Sequence, residues 1–162
     1  SGMTYAFLRP DFFFQNDVLL QGAIVGAGLY TMPVGNIGQN RIDTRDIADA
    51  SVHALTSTDL DGSDVALYGP KTWTADDIAA LYGEALGKEV KYMGDDLDAW
   101  ENASKAFMPP WLLGALKAGF HKMQTVGSVA TEEDVAASDV AIGHPARRFE
   151  DFVAEVTAAW KK

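Results

Sequence analysis

Residues 74–86 carry the clearest helical period in the chain. Ile78, Leu81, Tyr82, Ala85 and Leu86 fall at i, i+3, i+4, i+7 and i+8, which places them on one face. Thr74 with Asp77 three residues on has the spacing of a capping box, and Gly87 stands where a left-handed C-cap is expected. A second amphipathic helix is predicted over residues 43–56, with Ile47, Ala50, Ser51, Ala54 and Leu55 together. Asp43 and Asp46 near its start suit the positive end of the helix dipole. Further helices are predicted over residues 97–106, 111–123, 131–138 and 149–160, the last with a stripe of Phe149, Phe152, Val153, Val156 and Trp160.

The strands are shorter. Residues 3–8 read as a buried strand that stops at Arg9-Pro10, since proline cannot donate to a ladder. Residues 11–21 have helical character, and 22–38, rich in Gly and Pro, read as loop with a short extended piece. Ile42 closes a second predicted strand, and 65–68 and 90–93 are two more, with a loop over 59–64. Strands alternating with helices predict an α/β fold, a partial Rossmann-like sheet over residues 1–70, with a mostly helical subdomain over 71–162. The first strand reads as buried on both faces and should have neighbours on both sides, so the sheet is expected to be incomplete.

Composition narrows the chemistry. At 162 residues and 48% hydrophobic, the chain suffices for one ordinary domain. A net charge of −10 argues against nucleic acid, whose phosphates need Lys and Arg. With no cysteine, disulfides and thiolate chemistry are excluded. No apolar run is long enough to span a bilayer and no secretory leader pattern is visible, which together predict a cytoplasmic protein with no membrane partner.

Several short motifs occur in a fixed order: Leu8-Arg9-Pro10 followed by Phe13 and Asn16; Ile42-Asp43-Thr44-Arg45-Asp46-Ile47-Ala48; Leu67-Tyr68-Gly69-Pro70; Leu86-Gly87-Lys88-Glu89-Val90; and Ile142-Gly143-His144-Pro145 leading to Phe149. This ordered set resembles the C-terminal half of NmrA-like, atypical short-chain dehydrogenase/reductases. Tyr68 departs from the Thr usual in that pattern. The resemblance implies a Rossmann-type sheet that continues before Ser1 and a whole protein using NADP or NAD. It also implies that the glycine-rich dinucleotide loop, and the Tyr-x-x-x-Lys pair some relatives keep, lie upstream. None of the five tyrosines here has Lys four residues later. The chain alone is therefore expected to bind no dinucleotide and to be catalytically incompetent. Relatives of this kind include quinone and isoflavone-type reductases and also redox-sensing regulators. Two readings follow: the substrate-side portion of an NAD(P)-dependent oxidoreductase, or a non-catalytic interaction or regulatory module derived from that fold.

Candidate sites divide accordingly. Pro10, Asp11, Phe12 and Phe13 follow a strand at the sheet edge where α/β proteins bind ligands, and the resemblance puts them beside the cofactor. Arg9 is expected to pair with a carboxylate, and Asn16 to serve as a helix or loop hydrogen-bonder. Trp100, Trp111, Phe120 and Met123, with Phe107 and Met108 in the same stretch, either line a substrate pocket or simply pack between helices. Gly26-Ala27-Gly28 lacks a third glycine, with Thr31 in its place, so it reads as a flexible loop rather than a phosphate cradle. Asp43, Asp46 and Asp49 are expected to be helix-start carboxylates rather than metal ligands, and Asp59 to Asp64 lacks the closing Glu of a calcium loop. The catalytic residues are unassigned. The apolar first strand would expose its edge, which predicts self-association or pairing with a missing N-terminal half.

Overall fold

The structure, a computed structural model, describes residues 4–161; Met3, placed in the first strand by the sequence pattern, lies outside them. Four short strands form two parallel pairs. β1 (Phe7–Pro10) lies beside β3 (Asp64–Leu67), with Phe7 opposite Asp64 and Pro10 opposite Leu67. β2 (Leu29–Tyr30) lies beside β4 (Lys91–Tyr92). Parallel pairing needs crossovers, and helices α1 (Thr44–Thr56) and α2 (Ala75–Leu86) lie within the two connections. The rest is α3 (Leu97–Ser104), α4 (Pro110–Thr125), α5 (Glu132–Ile142) and α6 (Phe149–Trp160). The fold is α/β, as the alternation predicts.

Local chemistry explains the best-predicted elements. Thr74 and Asp77 form the reciprocal capping box at the start of α2, and Gly87 ends the helix at φ +68°. Thr131 and Asp134 repeat that box at α5, which runs past residue 138 to Gly143. Asp43 caps α1 by accepting from the Arg45 backbone N–H at 2.8 Å.

Four expectations are corrected. β1 does not stop before Pro10 but includes it. Phe7 and Asp11 donate their N–H groups to Ser63 and Leu67 of the partner segment, so by alternation Pro10 faces the open edge, where its missing N–H costs no ladder bond. Nor is the strand buried on both faces: Tyr5 is 57% and Phe7 55% exposed. Residues 22–38 are not simply loop. Phe14–Leu20 winds as a 3₁₀ helix, and Gly22–Ala27 continues it in wide π-type turns that end at Gly28 with φ +66°. A side chain at Gly28 would meet the Glu89 carbonyl at 2.8 Å, so this glycine permits close packing against the approach to β4. Ile42 makes one parallel bridge to Phe13 rather than closing a ladder.

Two apolar clusters result. The larger gathers Phe14, Ile24, Tyr30, Trp73, Tyr82 and Phe149 among the π-type turn, β2, α2 and α6, and extends to Trp100 and Phe120 on α3 and α4. The smaller holds Ile42, Ala50, Leu67 and Ile142, joining β1 and β3 to α1 and α5. The Ser138 hydroxyl clamps α5 to the end of β3, accepting from the Tyr68 N–H at 2.9 Å and donating to the Tyr68 carbonyl at 3.1 Å.

Candidate functional site

Three parallel strands end on one cavity. Phe12 lies two residues past β1, Thr31 and Met32 directly follow β2, and Met93 directly follows β4; all four line a hollow of about 590 Å³. Ligands of open α/β sheets bind at such carboxyl ends, because the strands stop there and the connecting segments splay apart. Asn16, Leu19 and Leu20 of the 3₁₀ helix form a second wall. The third is Trp100, Ala103 and Ser104 of α3, Phe107 and Met108 of the α3–α4 connection, and Leu116 and Phe120 of α4. Trp100 and Phe120 meet edge to face at 5.0 Å, which fixes that wall. The volume is in the range of small-molecule sites.

Among the described residues, no charged side chain lines this cavity. Its polar side chains are Asn16, Thr31 and Ser104, none of which makes a side-chain hydrogen bond among the described residues. A smaller hollow of about 220 Å³ beside Asn40 differs. There the Asn40 amide is engaged within the fold, donating to the Gly69 carbonyl at 3.1 Å and accepting from the Thr72 hydroxyl at 2.7 Å and the Ala130 N–H at 3.0 Å.

Behind Phe12 lies a buried ionic knot. Arg41 and Asp17, both fully buried, form a two-pronged pair at 2.6 and 2.8 Å. The hydroxyls of Tyr30 and Tyr82 donate to the same carboxylate at 3.2 and 3.1 Å. The guanidinium also donates to the Phe13 carbonyl at 3.2 Å and lies over the rings of Phe149, at 4.5 Å, and Phe12, at 5.2 Å. Burial pushes both tyrosines well above their ordinary range, reinforced by the Asp17 charge. Burial works against the Arg41 charge, but Asp17, Tyr30 and Tyr82 together outweigh it and hold the guanidinium protonated. The Nε of Arg41 is buried without a partner. The knot fixes Phe12 from behind and so shapes the cavity wall.

The structure separates the residues singled out by sequence. Phe12, Trp100 and Phe120 line the cavity. Phe13 points elsewhere, 36% exposed, with its backbone bridged to Ile42. Pro10 ends β1. Asp11 accepts from the Phe12 N–H at 2.7 Å, while its second oxygen is buried without a partner. Burial raises its carboxyl above the ordinary range, against the Phe12 N–H, Ser128 and Arg41, which pull it down. Trp111 is 74% exposed and stands outside the lining, and Met123 packs into the larger core. Arg9 pairs with Asp64 at 2.5 and 2.6 Å on the surface. Asn16 lines the cavity with its amide unengaged, where the sequence suggested a local hydrogen-bonder. Thr31, Met32 and Met93 carry no motif; their signal is position, one or two residues past a parallel strand.

The side-chain oxygens of Asp46 and Asp49 and a ring nitrogen of His144 all lie within 4.8 Å of one another. The cation among them is the Arg147 guanidinium, bonded to Asp46 and, at 2.8 Å, to Asp49. A pyrophosphate finds no fitting cradle among the described residues. Helices α1, α2, α3, α5 and α6 each carry carboxylates in the first turn, and α4 opens on Pro109-Pro110 with no glycine-rich turn. The Gly26–Gly28 segment is the end of the π-type turn rather than a strand-to-helix loop. No helix of the described residues is long and apolar enough to cross a membrane.

Comparison with known structures agrees with this architecture: the fold is Rossmann-like α/β. An NADPH-dependent quinone oxidoreductase from Escherichia coli superposes with a TM-score of 0.85 at 22% identity, over 96% of this chain and 56% of its own. The triphenylmethane reductase of Citrobacter sp., solved with NADP(H), gives 0.79 at 20% identity, over 94% of this chain and 53% of its own. No family model matches the sequence. By sequence, the chain is 29% identical to an NAD(P)H azoreductase of Xenophilus azovorans over 99% of its own length and 55% of the relative's. It is likewise 29% identical to a (4-alkanoyl-5-oxo-2,5-dihydrofuran-3-yl)methyl phosphate reductase of Streptomyces griseus, over 99% of its length and 56% of that protein's. The chain thus spans about half the length of the curated relatives it matches.

Proposed function

We propose that this chain is the substrate-side portion of an NAD(P)H-dependent oxidoreductase and that its cavity receives the organic acceptor. The observation that carries the reading is the cavity itself, uncharged and largely apolar at the carboxyl ends of three parallel strands, in a chain whose curated relatives include reductases. The 162 residues contain no Gly-x-x-Gly-x-x-Gly, and no helix start among the described residues suits a pyrophosphate. Pro10 to Phe13 border the nicotinamide end in this reading, and Phe12 is shared between cofactor side and cavity. Residues 71–162 act as the substrate-side subdomain over the residual sheet of residues 1–70.

Calorimetric titration of the purified chain with NADPH and NADH, followed by an acceptor-dependent oxidation assay, tests the proposal. Acceptor binding without micromolar nucleotide binding and without turnover is expected from these residues alone. An upstream reading frame encoding the glycine-rich loop, with turnover in the protein that carries it, supports the reading. A stop codon directly before Met3 overturns it in favour of the non-catalytic module.

The open edge of β1, with Tyr5 and Phe7 exposed, favours pairing with another strand-bearing unit, either a second copy or the missing half. Light scattering checks self-association: a dimer at micromolar concentration is expected for the purified chain, and a particle of 17.4 kDa would exclude it.

A further inference from the structure

We propose that the cavity is selective for an uncharged, flat aromatic ligand bearing a hydrogen-bonding oxygen or nitrogen, and that Asn16 is the residue that orients it. The inference rests on the reading of this cavity as the acceptor site and specifies what enters it.

Three observations support it. The first is the absence of charge. In a chain that is 22% charged, the lining holds no Asp, Glu, Lys, Arg or His. The cation behind the Phe12 ring, Arg41, is already committed to Asp17. A phosphate or carboxylate entering here would lose its water without gaining a counter-charge, which is strongly unfavourable. The cavity therefore selects against the phosphate-bearing kind of substrate named for the Streptomyces griseus relative.

The second is the walls. Phe12, Trp100 and Phe120 offer ring faces and edges, and Met32, Met93 and Met108 offer polarizable, adaptable sulfur contacts. Such a lining favours a π-system over a saturated ligand of equal size.

The third is the unengaged polar groups. The Asn16 amide and the Thr31 and Ser104 hydroxyls come from three different walls, and none is used by a side-chain hydrogen bond among the described residues. The Asn40 amide beside the smaller hollow is, by contrast, engaged within the fold on both its nitrogen and its oxygen. Asn16 alone of the three offers both two N–H donors and a carbonyl acceptor, so it can hold a carbonyl, azo or hydroxyl group in one orientation. It sits on the 3₁₀ helix anchored one residue later by the Asp17–Arg41 pair, which holds its backbone still.

The test compares three probes on the whole chain by calorimetry: menadione, 2-methylnaphthalene, which keeps the ring system without the oxygens, and 1-naphthyl phosphate. Menadione is expected to bind roughly tenfold more tightly than 2-methylnaphthalene, the effect of about one hydrogen bond made out of water. The phosphate should not bind measurably. Asn16→Ala should erase most of the tenfold ratio while leaving 2-methylnaphthalene affinity unchanged; Asn16→Ser, which keeps a hydroxyl, should restore part of it. A merely structural Asn16 would weaken both neutral probes together, and that outcome overturns the proposal. So does a ratio unchanged in Asn16→Ala, or a phosphate that binds as well as menadione. Should Asn16→Ala fail to fold, the ratio is read on Asn16→Ser, where full retention overturns the proposal. Failure of both neutral probes to bind the natural chain overturns this inference and the acceptor-site reading together, whereas binding without discrimination by Asn16 overturns this inference alone.

Discussion

The knot around Asp17 and the cavity beside Asn16 are neighbours in sequence and opposites in design. In the knot every charge has a partner: Tyr30 of β2, Tyr82 of α2 and Arg41 of the segment before α1 converge on one carboxylate. In the cavity the polar groups are neutral, come from three separate walls and make no side-chain hydrogen bond among the described residues. Polar groups that satisfy each other are structure, and their loss is felt in stability. Polar groups held apart in an apolar enclosure await a ligand, and their loss is felt in binding.

The largest effect should come from breaking the knot on one side. Asp17→Ala leaves Arg41 buried and unpaired and should cost about 3–5 kcal/mol in chemical denaturation. Replacing both partners, Asp17→Leu with Arg41→Met, should cost much less, since no charge is stranded; an equal cost would mean that packing rather than charge dominates there. Next comes Tyr82→Phe, which removes one of the two hydroxyl donors to Asp17 and should cost about 1 kcal/mol. Asn16→Leu is the same kind of change, polar to apolar, on the other side of the comparison. It should move stability by no more than about 0.5 kcal/mol, and a loss of several kcal/mol would place Asn16 in the framework instead.

The smallest effect is a pH dependence at the α5–α6 connection. The Pro145 carbonyl, helped by Asp49, raises the His144 pKa above its ordinary 6.5. A raised folded value means that the protonated form is favoured by folding. Its contribution is full below the unfolded pKa and is lost as pH rises through the folded one. The melting temperature should therefore fall slightly from about pH 6 to pH 8, and His144→Ala should reduce that slope, leaving the part due to His53, whose pKa is likewise raised by the Ala141 carbonyl and Asp59. The ring is partly exposed, so solvent screens the effect.

How much of this was legible beforehand depends on how local the cause is. Helices α2 and α6 were, because the period and the α2 caps lie within the segment. The winding of residues 14–27 was not. Its geometry depends on Asp17 being drawn inward to Arg41, 24 positions away, and on the close approach at Gly28. In the cavity, residue type marked Trp100 and Phe120 but could not set Trp111 apart. Trp111 and Phe120 are nine positions apart on α4, which at 3.6 residues per turn puts them on opposite faces. Thr31 and Met93 carry no signature at all, since only the ends of strands β2 and β4 bring them together. The exposure of β1 was misjudged because an apolar run looks the same whether or not its neighbours are present.

Pro10 gives that open edge a length limit. On the side away from β3, Leu8 offers an N–H and Pro10, two residues on, offers none. A strand laid there can pair at Leu8 but meets a gap in the ladder at Pro10. A partner that arrives in frame loses nothing, while one that has slipped by two residues sets a carbonyl against the proline ring. The edge thus admits a short guest in a fixed register and offers little to a growing fibre, which needs an unbroken row of donors to copy itself.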